Sequence, residues 1–306
     1  MRATDAALGE IKAPYIVDTH VHLWDFPDRP DIVPFRPLAV GSIEEWMEEV
    51  FPHGVSNGVT VFPSVGQGKF NITYVRDVLD RFPDTFRGVI SLNFTDPSNT
   101  SEATLDEFDD IGIRSIKYKL TNQKQIDAFF NDTRADSFVA VSKFMRERRW
   151  SWTMQITSEV GEVWPEVLDT LFGTGVKIVC DHFGRPNFTR GLDDPAFKAI
   201  SQYGDTGRVY VKFSAPFRID NIRSKARDDQ ILEYAREYLK AFGDDNIIFG
   251  TDWPYIGEIN ETRPTYDELL ENFYTWVPDE DSRFKIMWDN PRRLYGFGKP
   301  KRYAGD

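Results

Sequence analysis

Apolar residues recur along this chain in short, β-rich runs, each followed by a stretch with helical spacing. The runs are YIVDTH (15–20), GVTVFPS (58–64), FRGVISLNF (86–94), IRSIKYKL (113–120), WSWTMQIT (150–157), VKIVCDH (176–182), RVYVKFS (208–214) and NIIFGTD (246–252). Amphipathic segments lie between them, such as Ser42–Val50, Thr73–Arg81, Ser137–Arg149, Val163–Phe172 and Asp228–Phe242. Eight strand–helix alternations predict an α/β fold of the (β/α)8 barrel type, the TIM barrel. A doubly wound open sheet is the competing arrangement, but no G-x-G-x-x-G follows the first run. Further helical segments close the chain: Thr265–Trp276, Asp281–Trp288 and the stretch DNPRRLYGF. No low-complexity linker or composition shift divides the sequence. Residues 1–306 therefore read as a single barrel domain with extra C-terminal helices, residues 1–14 being a flexible N-terminal segment.

Composition narrows the class. The 306 residues are 41% hydrophobic and 28% charged, which suits a globular protein with a sizeable core. A formal net charge of −12 argues against nucleic acid or an anionic membrane as partner. A local cluster of Arg and Lys can still receive a small anionic substrate. The one cysteine, Cys180, rules out an internal disulfide and fits a reducing compartment. The N-terminal stretch lacks an apolar core of signal-peptide type, and no run approaches the length of a membrane span. A cytoplasmic location and a small-molecule partner are expected, with a homo-oligomeric state left open.

Polar residues fall at the ends of the predicted strands, where barrels of this type carry their chemistry. His20 and His22 sit at or just past the first strand, and their i, i+2 spacing projects both rings from one face. Ser64 ends the second. Lys117 and Lys119 alternate with Tyr118 in the fourth, Gln155 lies on the fifth, and Asp181 and His182 end the sixth. Ser214 and Arg218 follow the seventh, and Asp252 ends the eighth. The remaining histidine, His53, reads as a solvated loop residue, and Cys180 as a small core residue.

These residues carry a likeness. VDTHVHLWD, GIRSIKYKL, CDHFGRP, VKFSAPFRI, FGTDWPY and DNPRRLYGF occur in that order between residues 17 and 297. Together they resemble the amidohydrolase superfamily, and within it the subgroup of 2-pyrone-4,6-dicarboxylate lactonase. The resemblance implies that His20, His22, His182 and Asp252 form the polar centre. Metal-dependent superfamily members usually add a histidine on strand five, where this chain has Gln155. The lactonase subgroup lacks that histidine and works without a metal. No cofactor is therefore favoured; the alternative is a single divalent metal, such as zinc, on His20, His22 and Asp252.

The expected reaction is hydrolysis of a lactone. Asp252 would take a proton from water, and His20, His22 and His182 would polarise the carbonyl and stabilise the oxyanion. Asp181, next to His182, either orients a ring nitrogen or binds backbone N–H groups at the strand end. Ser64 either touches substrate or shapes a turn, and Arg185 closes a loop by a salt bridge. Arg218 matches an arginine that the subgroup uses for a substrate carboxylate. Lys117 and Gln123 stand where the subgroup has further arginines, so a monoacidic or neutral lactone is expected in place of a dicarboxylate. Tyr118, Gln155, Trp253 and Tyr255 are further expected substrate contacts, and Phe183 and Phe217 would add to an apolar wall. A metal-dependent decarboxylase or hydratase, a lactone isomerase, and a non-catalytic binding barrel are the alternative readings.

Overall fold

The computed structural model describes residues 16–23, 41–62, 72–218, 225–255 and 264–298. Eight parallel strands alternate with helices in one sheet ordered β1 to β8. In chain order the elements are β1 (Ile16–Val21), α1 (Ile43–Val50), β2 (Val55–Val61), α2 (Thr73–Arg81), β3 (Phe86–Ile90), α3 (Pro97–Thr100), α4 (Glu102–Ile111) and β4 (Ile113–Leu120). They continue as α5 (Gln123–Asp132), α6 (Asp136–Glu147), β5 (Ser151–Ile156), α7 (Trp164–Gly173), β6 (Lys177–Cys180), α8 (Pro195–Ser201), β7 (Val209–Phe213), α9 (Lys225–Phe242) and β8 (Ile247–Phe249). The chain then adds α10 (Tyr266–Trp276), α11 (Glu280–Phe284) and α12 (Asn290–Tyr295). This is the (β/α)8 barrel that the alternating runs predict.

The runs are apolar nearly throughout because parallel strands under a helix layer bury both faces. One face of each strand packs on the helices. The other fills the barrel, whose floor is Val17, Val59, Val61, Val89, Val179 and Ile248, closed from below by Trp288, Leu294 and Tyr295. Helix starts follow local chemistry. Ser42 caps α1 by accepting from the Glu45 N–H at 3.1 Å, while the Glu45 carboxylate accepts from the Ser42 N–H at 3.0 Å.

Two strands are shorter than their apolar runs suggest. β6 stops at Cys180 and β8 at Phe249, before the polar residues. His182 and Asp252 have φ of 55° and 69°, left-handed values incompatible with a continuing strand. β2 begins earlier than its run, at Val55, and ends at Val61; Ser64 lies outside the described residues. The predicted flexible segment, residues 1–14, lies outside them as well.

The barrel closes where β1 meets the chain leaving β8. His22 N–H donates to the Trp253 carbonyl at 2.7 Å, and Asp252 N–H to the His20 carbonyl at 2.8 Å. Gly250 permits this approach: a Cβ there would lie 3.1 Å from the backbone nitrogen of His20. The buried Asp18 carboxylate fastens the same seam, accepting from Thr251 N at 2.9 Å and Thr251 Oγ1 at 2.6 Å. Burial pushes the Asp18 carboxyl up to about 7 even against these donors.

Candidate active site

At the C-terminal end of the strands, three imidazoles converge on one carboxylate oxygen. Asp252 Oδ1 lies 3.1 Å from His22 Nε2, 3.3 Å from His20 Nε2 and 4.0 Å from His182 Nε2. The His20 ring stands 5.0 Å from that of His22 and 4.6 Å from that of His182, centroid to centroid. Residues about 230 positions apart meet because β1 and β8 are neighbours in the closed barrel. The left-handed turns at His182 and Asp252 bend both side chains inward from strands that would otherwise run past the mouth.

The far nitrogens fix what each ring presents. His22 Nδ1 is 2.8 Å from the Val61 carbonyl, which only accepts, so that nitrogen carries a proton. A neutral His22 would then aim a lone pair at Asp252. That contact is favourable only with a proton on one partner or a cation between them. His20 Nδ1 lies 3.3 Å from the Lys212 ammonium, which only donates, and 3.5 Å from the Asp181 carboxylate, which only accepts; the nearer lysine favours a proton on Nε2, toward Asp252. Burial lowers the His20 pKa to about 3, so the ring is neutral at physiological pH. His182 Nδ1 is held by Ser214 Oγ at 2.7 Å.

Behind His20 lies a fully buried ion network. Asp181 Oδ1 is 2.9 Å from Lys212 Nζ and 3.5 Å from His20 Nδ1, and Asp181 Oδ2 is 3.0 Å from Lys117 Nζ. Burial alone would raise the Asp181 pKa, but the Lys117 and Lys212 ammonium groups outweigh it and hold the carboxyl well below the usual range. Burial lowers the Lys117 pKa, with Asp181 opposing. Lys212 also donates to the Thr19 carbonyl at 3.0 Å.

Several expected roles move. The ring nitrogen that Asp181 faces is His20 Nδ1, at 3.5 Å, and Ser214 Oγ holds His182 Nδ1. Lys117 is 3% exposed and committed to Asp181, which takes it out of reach as a substrate anchor. Tyr118 is no pocket residue. It follows Lys117 by one position on β4, so it faces the helices, among Phe94, Phe129 and Trp152, with its hydroxyl on Asp132 at 3.2 Å. Phe183 stacks on Phe213 at 4.5 Å and meets Trp276, also within the helix layer. Gln123 begins α5 and donates to Asp127 at 2.8 Å. His53 sits beside Asp267, away from the centre, and Cys180 is buried. Gln155 is buried on β5. Arg218 ends a short turn after β7, and its side chain lies outside the described residues.

Trp253 and Tyr255 follow Asp252 but are tied outward. Glu49 of α1 accepts from Trp253 Nε1 at 2.7 Å and from the Tyr255 hydroxyl at 3.4 Å. One carboxylate thus pins the loop that carries Asp252. Glu49→Ala takes an acceptor from a buried indole and is expected to lower stability by about 1–3 kcal/mol. Glu49→Gln keeps an acceptor and should lose less. Urea unfolding of both variants checks this, and equal stability of Glu49→Ala and wild type would refute the clamp.

Sequence reading assigned no role to Lys212 or Glu49. Lys212 had a visible signal, a lone charge inside the apolar run RVYVKFS. Glu49 had none, as one of four glutamates on α1.

The same centre could seat a cation. Ligand atoms of His20, His22 and Asp252 lie within 4.8 Å of one another, as do those of His20, Asp181 and His182. The lone pair of His22 suits a ligand. His20 would have to move its proton to Nδ1 and donate it to Asp181. A divalent ion held by His20, His22 and Asp252 would polarise a carbonyl and lower the pKa of bound water.

Comparison with known proteins finds relatives in both sequence and fold. The chain is 27% identical over 291 residues to the 4-sulfomuconolactone hydrolase of Rhizobium radiobacter, covering 91% of this chain and 89% of that protein. It is 28% identical over 203 residues to the 2-pyrone-4,6-dicarboxylate hydrolase of Comamonas testosteroni, covering 64% and 63% of the two chains. The fold matches that of a Pseudomonas putida protein assigned as a 2-pyrone-4,6-dicarboxylic acid hydrolase. There the TM-score is 0.79 at 24% identity, over 92% of this chain and 97% of that one. The profile of the Amidohydrolase family matches residues 17–297, from β1 to just past α12, and this chain belongs to that family.

Proposed function

We propose that this protein hydrolyses the ring ester of a small acidic lactone, without a metal. The convergence of three imidazoles on Asp252 at the barrel mouth carries this reading. Asp252 takes a proton from water, whose oxygen bonds to the ring carbonyl carbon. The Nε2 proton of His20, with His182 beside it, meets the charge developing on the carbonyl oxygen, and His22 joins them when its Nε2 is protonated as well. The bond from carbonyl carbon to ring oxygen then breaks. The proton returns to the ring oxygen, and an open-chain hydroxy acid leaves. An ester needs less activation than an amide, so fixed imidazoles can suffice. The lactone hydrolases among the relatives support the substrate class.

One feature favours metal independence. The nearer neighbour of His20 Nδ1, the Lys212 ammonium at 3.3 Å, favours a proton on Nε2, the atom a metal would need. Activity is expected to survive prolonged dialysis against a chelator, with metal content measured on the same sample. Complete loss, restored by one equivalent of Zn²⁺, would refute metal independence and assign His20, His22 and Asp252 as ligands.

The hydrolase reading is tested by a panel of 2-pyrones and muconolactones, following loss of ring absorbance and release of acid. Failure to open any of them would refute it. A cytoplasmic location is part of the proposal, supported by the single, buried cysteine. No helix among the described residues is long and apolar enough to cross a membrane.

A further inference from the structure

β4 turns three polar side chains of one parity toward the barrel interior: Ser115, Lys117 and Lys119. They form a ladder. Ser115 Oγ is 2.8 Å from Thr153 Oγ1 of β5, deep in the barrel. Lys117 comes next, in the buried ion network with Asp181. Lys119 is the third rung. Two residues of a parallel strand rise about 6.6 Å, which lifts Lys119 from the level of the network toward the mouth. Exposure follows this order, with Lys117 buried and Lys119 half-buried.

The register across the seam is fixed. Lys117 pairs with Thr153, and Lys119 with Gln155, on β5. Gln155 belongs to the same inward parity as Thr153 and is buried. The top rung of this seam therefore pairs Lys119 with Gln155, a cationic residue across from a neutral amide. Both are hydrogen-bond donors, and together they suit an oxyanion with more than one acceptor.

We infer that Lys119, with Gln155 beside it, anchors an anionic substituent of the lactone, a single carboxylate or sulfonate, and so sets the specificity for acidic rings. The inference rests on reading this site as a lactone hydrolase. It moves the anchor on β4 two residues along from Lys117, whose ammonium Asp181 already holds. A point charge with a flexible stem accepts a carboxylate or a sulfonate alike.

The test compares 2-pyrone-6-carboxylate with its methyl ester, which keeps the ring and loses the charge. The readout is the ratio of kcat/KM for acid over ester, which does not depend on the fraction of folded enzyme. Lys119→Met is expected to lower this ratio about ten- to a hundredfold. Lys119→Arg, which restores the charge, should recover most of it. An unchanged ratio in Lys119→Met, or no recovery in Lys119→Arg, would overturn the assignment. If wild type opens neither ring, the hydrolase reading fails by itself. Calorimetric affinities of the same two compounds then give the ratio, and the same two outcomes decide Lys119.

Discussion

Asp252→Asn is expected to lower turnover by about 10²–10⁴-fold, the usual cost of losing a general base. The substitution keeps the size of the side chain and the backbone bonds at its position. Asp252 N–H still donates to the His20 carbonyl, and the Asp252 carbonyl still accepts from Tyr255 N–H at 2.8 Å. What changes is the capacity to take a proton from water. The amide also replaces the oxygen on which His20 and His22 converge by a weaker acceptor or a donor. Substrate affinity should change little, because no net binding role is assigned to this carboxylate. The measurement is kcat against KM, with thermal unfolding as a check on folding. A folded variant that retains near-normal turnover would exclude Asp252 as the base.

Asp181→Asn should have the largest effect on stability, lowering it by about 3–5 kcal/mol, the cost of breaking a buried ion pair from one side. Two ammonium groups lie within 3.0 Å of this carboxylate, and all three groups are buried. Asparagine has the shape but not the charge, leaving Lys117 and Lys212 to repel each other in a dry interior. Adding Lys117→Met removes one of those charges. The double variant should recover more than about 1 kcal/mol relative to the single one, an interaction visible because the residues touch. The urea midpoint at constant slope reads both. Asp181→Asn within about 1 kcal/mol of wild type would contradict the network.

The same network gives stability a pH dependence. The ammonium groups hold the folded pKa of Asp181 well below its unfolded value near 4. Its contribution is therefore fully present above that unfolded value and is lost as pH falls through the folded one. Acid unfolding followed by circular dichroism should shift toward neutral pH in any variant that lacks Lys117 or Lys212.

The sequence by itself determined the barrel and most of the groups at its mouth. Apolar runs such as VKIVCDH and NIIFGTD end in polar residues because parallel strands bury both faces until they leave the helix layer. That rule places His20, His22, His182 and Asp252 at one end before any distance is known. Period-two alternation also bore on β4, where it separates Lys117 and Lys119 from Tyr118. Tertiary structure alone decided which polar groups pair. Asp181 touches His20 and Lys212, and Glu49 reaches Trp253 some 204 residues away. Lys212 meets His20 across a separation of 192. Such choices depend on angstrom-scale approach between strands and helices that closure brings together. The left-handed turns at His182 and Asp252 belong to the same class. Neither residue type requires positive φ. The closed barrel, with β1 bonded to the chain leaving β8, holds Asp252 there, because the hydrogen bonds of that seam outweigh the local steric cost.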